Sequence, residues 1–327
     1  MRTYTQLTRG KRYQIRALLK AGFSQSRMAF FLKVHKSTIS REIRRNKGEK
    51  GFRPVQAHEK ALARRFAAAK RIKMTPVMIE LAEHYIRQDF SPEQVSGFLD
   101  RNHELKISHE TIYKHIWSDK KTGGTLYKHL RHSSRKQRKR YGTKQLRGRI
   151  AGQVSIDLRP AIVDAKNRSG DWEIDTVTGK NSKGYLITAV ERKSKFVLVK
   201  RVADRQSDLV AKAVVRLLRP YKENVLTITA DNGKEFSQHM KISKRLKADF
   251  YFSHPYHAWE RGLNENTNGL LRQYFPKRMD FQKIDDKYIS YAMERLNNRP
   301  RKTLCFATPK EVFYNDINNK NPVALMI

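Results

Sequence analysis

Between Lys120 and Ile156 the chain holds not one aspartate or glutamate, and this gap separates two stretches whose apolar residues recur with different periods. Upstream, from Leu7 to about Trp117, apolar residues return at three- and four-residue steps, the spacing of amphipathic helices. Downstream, from about Gly170, the runs alternate or are β-branched, as in Trp172 to Val177, Tyr185 to Val190, Phe196 to Val199 and Leu226 to Ala230. A helix fits over Ser207 to Leu218, with Leu209, Val210, Ala213, Val214 and Leu217 on one face. The order β-β-β-α-β-α-β-α predicts an α/β layered domain around one sheet. The gap itself, with its run Arg135 to Arg140, reads as a linker or arm that stays disordered until phosphates neutralise it, or as a plain solvated linker. These changes of texture predict four parts: 1–60 and 61–119, both helical; 120–156, basic; and 157–327, α/β.

The composition explains what such a gap is for. Lys and Arg number 69 against 31 Asp and Glu, a formal charge of +38, which repels itself in a compact fold unless a polyanion is the partner. The excess is spread along the chain, which favours nucleic acid; a ribosomal or merely basic structural protein is the alternative on charge alone. Cys305 is the single cysteine, so an intramolecular disulfide framework and a cysteine zinc site are excluded. No apolar signal core stands at Met1 to Gly10, and no apolar run approaches a membrane span, so a cytoplasmic, nucleoid-associated protein with no membrane partner is expected.

Two helix-turn-helix units are legible upstream of the gap. In the first, Phe23 to Leu32 is a short capped helix, Lys33 to Lys36 a polar turn, and Ser37 to Asn46 a second helix with Ser37 as its expected N-cap. Ile39 and Ile43 share a face; Lys36, Ser37, Thr38, Ser40, Arg41, Arg44 and Arg45 remain to meet the major groove. The second unit repeats the eight-residue step from Phe23 to Phe31 as Phe90 to Phe98. Ser91-Pro92-Glu93-Gln94 predicts a capping box with proline at the first helical position, and Phe90 and Val95 a hydrophobic staple. Its second helix, Ser108 to Trp117, offers His109, Thr111 and Lys114 as DNA contacts, a contact to protein or a purely structural role being the alternative for this less basic unit.

Three acids stand where a structural role explains them poorly. Asp175 interrupts a sheet-forming run, Asp231 follows the strand Leu226 to Ala230 at its C-terminal end, and Glu265 lies on a helix over Gly262 to Phe275. On that helix Leu263, Thr267, Leu270 and Tyr274 form the packing face, with Glu265, Asn268 and Arg272 opposite, the last two as DNA contacts. Clustered acids need a cation, and oxygen ligands suit Mg²⁺. Two such ions per site, with Asp175 bridging and Asp231 and Glu265 each on one side, suffice for phosphodiester cleavage and transfer.

Trp172-Glu173-Ile174-Asp175-Thr176, Thr229-Ala230-Asp231-Asn232-Gly233 and Gly262-Leu263-Asn264-Glu265-Asn266 resemble the three catalytic motifs of the retroviral integrase and DDE transposase superfamily, with 33 residues between Asp231 and Glu265. His254-Pro255-Tyr256, Trp259-Glu260-Arg261-Gly262 and Arg272-Gln273-Tyr274-Phe275-Pro276-Lys277 resemble the IS30 family of bacterial insertion sequences. So do Tyr4 to Thr8, the Ser37 to Glu42 helix and Leu296 to Lys302, so the likeness covers nearly the whole chain. It implies an RNase H-like (integrase) catalytic domain behind all-α helix-turn-helix domains, Mg²⁺ or Mn²⁺, and binding to terminal inverted repeats and target DNA. The family usually carries a small polar pair where this chain has His257-Ala258, and Gly-Tyr where it has Cys305-Phe306. Because an element has two ends, a homodimer or larger even assembly on DNA is expected.

Several residues near the acids stay ambiguous. Glu260 competes with Glu265 for the third ligand position; its place at the start of the helix suits capping or orientation. Glu173 shares the sheet face of Asp175 and either assists it or is solvated. The eleven histidines show no metal-ligand spacing; His254 and His257 are either structural or in reach of phosphate or a reacting water. A non-cutting DNA-binding regulator and an RNase H-type nuclease are the rival readings; the three acids weigh against the first, the upstream helices against the second.

Overall fold

The computed structural model describes residues 6–68, 74–131, 150–255 and 257–320, and the chain divides into two units, 1–72 and 73–327. In the first unit four helices, α1 (Arg9–Lys20), α2 (Gln25–Phe31), α3 (Lys36–Asn46) and α4 (Pro54–Ala67), pack around the fully buried Ile15, Met28, Ile39 and Ala57. Thr8 and Ser24 cap α1 and α2, accepting from Lys11 N and Arg27 N. Ser37 is not the cap of α3. The helix starts one residue earlier, and His35 Nδ1 accepts from Ser37 N at 3.2 Å, the imidazole nitrogen doing what a hydroxyl was expected to do. The boundary expected at residue 60 falls inside α4. That helix belongs to the first unit because Pro54 and Ala57 are buried in it and Arg64 donates to Asn46 Oδ1 at 2.5 Å.

The second unit begins with α5 (Pro76–Arg87), α6 (Pro92–His103) and α7 (His109–Lys121) around buried Ile86, Phe90, Val95, Leu99, Ile112 and Ile116. The capping box is present: Ser91 Oγ accepts from Gln94 N at 3.3 Å while Gln94 Oε1 accepts from Ser91 N at 2.9 Å. The start of the basic segment is not a linker. Lys120 and Lys121 complete α7, and a 3₁₀ turn, Leu126–His129, buries Leu126 in the same core, its amide held by Asp119 Oδ2 at 3.1 Å. Arg138 and Arg140, with the rest of 132–149, lie outside the described residues.

The same unit continues through the short α8 (Ile162–Ala165) into a five-stranded sheet. The strands β1 (Asp171–Thr178), β2 (Tyr185–Glu191), β3 (Val197–Val202), β4 (Thr227–Ala230) and β5 (Asp249–Phe252) lie in the order β3-β2-β1-β4-β5. The first three pair antiparallel; β1, β4 and β5 run parallel. Alternation gives each strand two buried faces. Trp172, Ile174, Ile187, Ala189 and Ile228 face α9 (Ser207–Leu218), α10 (His239–Leu246) and Phe313 of α13 (Pro309–Lys320). Val177, Leu186, Val190, Val197 and Val199 face α11 (Gly262–Leu271) and α12 (Asp286–Asn297). Helix α9 spans the expected residues but turns its apolar face slightly: Ala211 and Leu218 are buried, Leu209 is 38% exposed. Helix α11 ends four residues before Phe275.

Polar contacts fasten the helical part of this unit to its sheet part. Tyr274 Oη donates to Asp89 Oδ2 at 2.9 Å, Gln273 Nε2 to His129 O at 3.4 Å, Arg101 meets Glu311 at 3.1 Å and Lys302 meets Glu93 at 2.7 Å.

Candidate active site

The parallel pairing of β1 and β4 sets Asp171 beside Thr227 and Glu173 beside Thr229; carried two residues further, this register brings Asp175 level with Asp231. Asp231 therefore stands just past the C-terminal end of β4 and Asp175 at the same level within neighbouring β1, on the sheet face that α11 covers. Between them lies the Arg261 guanidinium, 3.6 Å from Asp175 Oδ1 through Nη1 and 3.6 Å from Asp231 Oδ2 through Nη2. Its Nε and Nη1 are buried with no hydrogen-bond partner among the described residues, so the contact is one of charge at ion-pair range. Seven residues on, Asn268 Nδ2 donates to Asp175 Oδ2 at 2.8 Å. Glu265 lies in the first turn of α11, four residues after Arg261 and three before Asn268. Its own carboxylate is exposed. Burial pushes the Asp175 carboxyl up, with the Arg261 charge pulling it back and the Asp231 charge adding to the rise.

A second layer of charge supports these groups. Glu173 is neither solvated nor a partner of Asp175. It is buried, accepts from Arg192 Nη1 at 2.5 Å and from Asn264 N at 3.1 Å, and so ties β1 to the first turn of α11. Burial raises its carboxyl and the Arg192 charge opposes the rise. Asp231 Oδ1 accepts from Gly233 N at 3.0 Å. Glu235, buried beside it, takes hydrogen bonds from Thr176 Oγ1 at 2.9 Å and from Arg205. The sequence reading missed Arg261, Arg192, Arg205 and Glu235; the step of four from Arg261 to Glu265 is the one signal that pointed to any of them.

The donors that Asp175 and Asp231 offer are carboxylate oxygens, and a positive group already stands between them, so the residues fit a hard divalent cation.

Comparison with known proteins decides what this arrangement belongs to. The integrase core domain family matches residues 166–258, and a helix-turn-helix domain family matches residues 3–46. The transposase of insertion sequence element IS4351 from Bacteroides fragilis is 43% identical over 97% of this chain and 98% of its own. Transposase InsI of element IS30A from Escherichia coli is 36% identical over 95% of this chain and 84% of its own. The chain belongs to the IS30 family of insertion-sequence transposases. Its function is DNA transposition, its fold is the expected helical region followed by an integrase-type core, and the integrase-core family works with divalent metal. Among solved structures, the catalytic core domain of BIV integrase covers 46% of this chain and 98% of its own, at 24% identity and a TM-score of 0.38.

The described residues expected to contact DNA fall in three groups. On α3, Lys36, Ser40, Arg41, Arg44 and Arg45 are exposed, while Ser37 and Thr38 are half-buried; Arg41 donates to Ser37 O and Oγ. On α7, His109 and Lys114 are exposed, and Thr111 is half-buried with its hydroxyl 2.9 Å from that of Ser108. Of the two expected contacts on α11 and beyond, Asn268 holds Asp175, and Arg272 donates to the Thr178 and Phe275 carbonyls while lying over the Phe281 ring. The histidines also need a correction. His254, His257 and Glu260 recur at three-residue steps, and the turn before α11 brings their ligand atoms within 4.8 Å of one another. Among the described residues no helix is long and apolar enough to cross a membrane.

Proposed function

We propose that this transposase reads the terminal inverted repeats of its element through α3 and cuts and joins DNA ends at Asp175, Asp231 and Glu265. What carries the reading is the convergence of Asp175 and Asp231 on Arg261, with Glu265 in the first turn of the helix that Arg261 precedes. Two divalent ions, Mg²⁺ or Mn²⁺, held by these three carboxylates would supply an activated nucleophile and stabilise the leaving oxygen of a phosphodiester. Asn268 orients the Asp175 carboxylate, Gly233 N holds that of Asp231, and Arg261 screens the pair from each other until the site is loaded. Such chemistry asks little of a protein beyond position and charge.

The basic face of α3 supplies the sequence-reading surface, with hydroxyls and guanidiniums presented together. One active site per element end implies a homodimer or larger even assembly on DNA, and the strong positive charge delays association until phosphates arrive. The test is cleavage of DNA ending in the element's terminal repeat. The variants Asp175→Ala, Asp231→Ala and Glu265→Ala should bind that DNA as the parent does and neither cut nor join it. Mg²⁺-dependent cleavage retained by Asp231→Ala would overturn the assignment.

A further inference from the structure

We propose that His254, His257 and Glu260 form a second metal site, for a borderline divalent ion of the zinc class, distinct from the catalytic carboxylates. Both imidazoles aim Nδ1 at the same carboxylate oxygen: His254 Nδ1 is 2.8 Å and His257 Nδ1 3.0 Å from Glu260 Oε1. The other oxygen of Glu260 accepts from His254 N at 2.8 Å, which fixes the carboxylate plane. On its far side His254 Nε2 meets Asp157 Oδ2 at 2.9 Å. Asp157 thus holds Nε2 as carboxylates hold metal-bound imidazoles, fixing tautomer and orientation, and an ion would replace the proton that Nδ1 shares with Glu260. Two nitrogens and one oxygen suit Zn²⁺ and its neighbours; Mg²⁺ prefers all-oxygen sets such as the one at Asp175 and Asp231. The three side chains are half-buried, leaving solvent a fourth position.

The site's position gives it a role. His254 follows β5, Glu260 adjoins Arg261, and Asp157 lies on the segment that enters the sheet unit, where Ser155 bridges to Phe252. An ion here would pin that segment to the turn from which α11 starts, and so set the root of the helix that presents Glu265. Trp259, 71% exposed, stacks on the His257 ring with centroids 4.3 Å apart and would report its occupancy.

The test uses the full-length chain carrying Asp175→Ala and Asp231→Ala, stripped of metal and titrated calorimetrically with zinc chloride. One Zn²⁺ should bind per chain, with a change in Trp259 emission. Adding His257→Ser should weaken binding at least about tenfold, and Asp157→Asn about 10- to 100-fold. Metal-free melting temperatures identify any variant that has lost its fold, and Glu260→Gln serves as the alternative ligand change. In the otherwise native chain, His257→Ser should remove one of the bound zinc ions and leave any others. Absence of saturable zinc binding in the double variant, or equal affinity after His257→Ser, would overturn the proposal.

Discussion

Glu173 accepts a hydrogen bond from the Asn264 amide at 3.1 Å, so the strand that carries Asp175 grips the helix that carries Glu265 by its first turn. The grip depends on Arg192, which meets Glu173 at 2.5 Å with both side chains almost wholly buried. Removing one partner of a buried pair costs about 3–5 kcal/mol when the other charge is stranded, and Arg192, which keeps Asp164 Oδ1 at 3.3 Å, sets the loss at the low end of that range. Glu173→Ala should therefore lower the unfolding free energy by that amount in urea titrations, and Glu173→Gln, which can still accept from Asn264, by less. A loss within error of zero for Glu173→Ala would show that the grip is incidental.

Arg261 is the positive group between Asp175 and Asp231. Its replacement by alanine leaves two facing carboxylates with less opposing charge. We expect Arg261→Ala to melt below the parent without metal, and to gain more in melting temperature from Mn²⁺ than the parent gains. Equal gains in the two proteins would dissociate Arg261 from the metal site.

Gly233 is where Asp231 and Glu235 leave no room. A Cβ there would lie 2.8 Å from Asp231 Oδ1 and 2.5 Å from Glu235 Cδ. The Asp231 carboxylate can move, but Glu235 is buried and held by Thr176 and Arg205, so Gly233→Ala should cost about 1–3 kcal/mol of stability. The displaced Asp231 carboxylate should in addition cost cleavage roughly 100-fold, the scale of a misplacement near 1 Å. Denaturation and single-turnover cleavage, measured together, separate the two effects.

Glu235 makes the stability of the unit depend on pH. Burial alone would raise its carboxyl, but hydrogen bonds from Arg205, from the local backbone and from Thr176 outweigh that and hold it below the usual glutamate range. The unfolded chain then binds this proton more tightly. The contribution is complete above the unfolded pKa, roughly 4.3, and is lost as pH falls through the lower folded value. The melting-temperature gap between the parent and Glu235→Gln should be widest near neutrality and close as pH drops below about 4. A gap that persists unchanged into acid would assign the effect to packing.

DNA recognition should divide between α3 and the basic segment. Arg41→Ala should cost about 1–3 kcal/mol on repeat DNA and relax specificity, whereas Arg138→Ala should weaken all DNA alike and flatten the salt dependence. Titrations on repeat and scrambled duplexes at two salt concentrations distinguish them; identical behaviour of the two variants would count against the division.

Strands and helices were legible because period is a local property. Helix α9 spans Ser207–Leu218 as its apolar spacing required, and the odd-numbered face of β1 announced that Glu173 and Asp175 point the same way. What period cannot supply is the partner. Glu173 finds Arg192 and Asn264, 19 and 91 positions away, and nothing near it in sequence marks either. The basic segment misled for a different reason: the absence of acids drew attention from Leu126, Tyr127 and Leu130, whose apolar side chains join the core around Ile116. The His254, His257 and Glu260 set needed only a count of threes, but its geometry depends on a turn that the count does not reveal.

The ties from Asp89 to Tyr274, His129 to Gln273, Arg101 to Glu311 and Glu93 to Lys302 have a consequence for where a strand is cut. They mount α6 and α7 on the same chassis as the acids. A duplex held at both α7 and Asp175 would then be spanned at an offset gauged by the fold, a fixed number of base pairs. Lengthening the chain between residues 131 and 150 would leave that gauge, and the position of the nick, where they were.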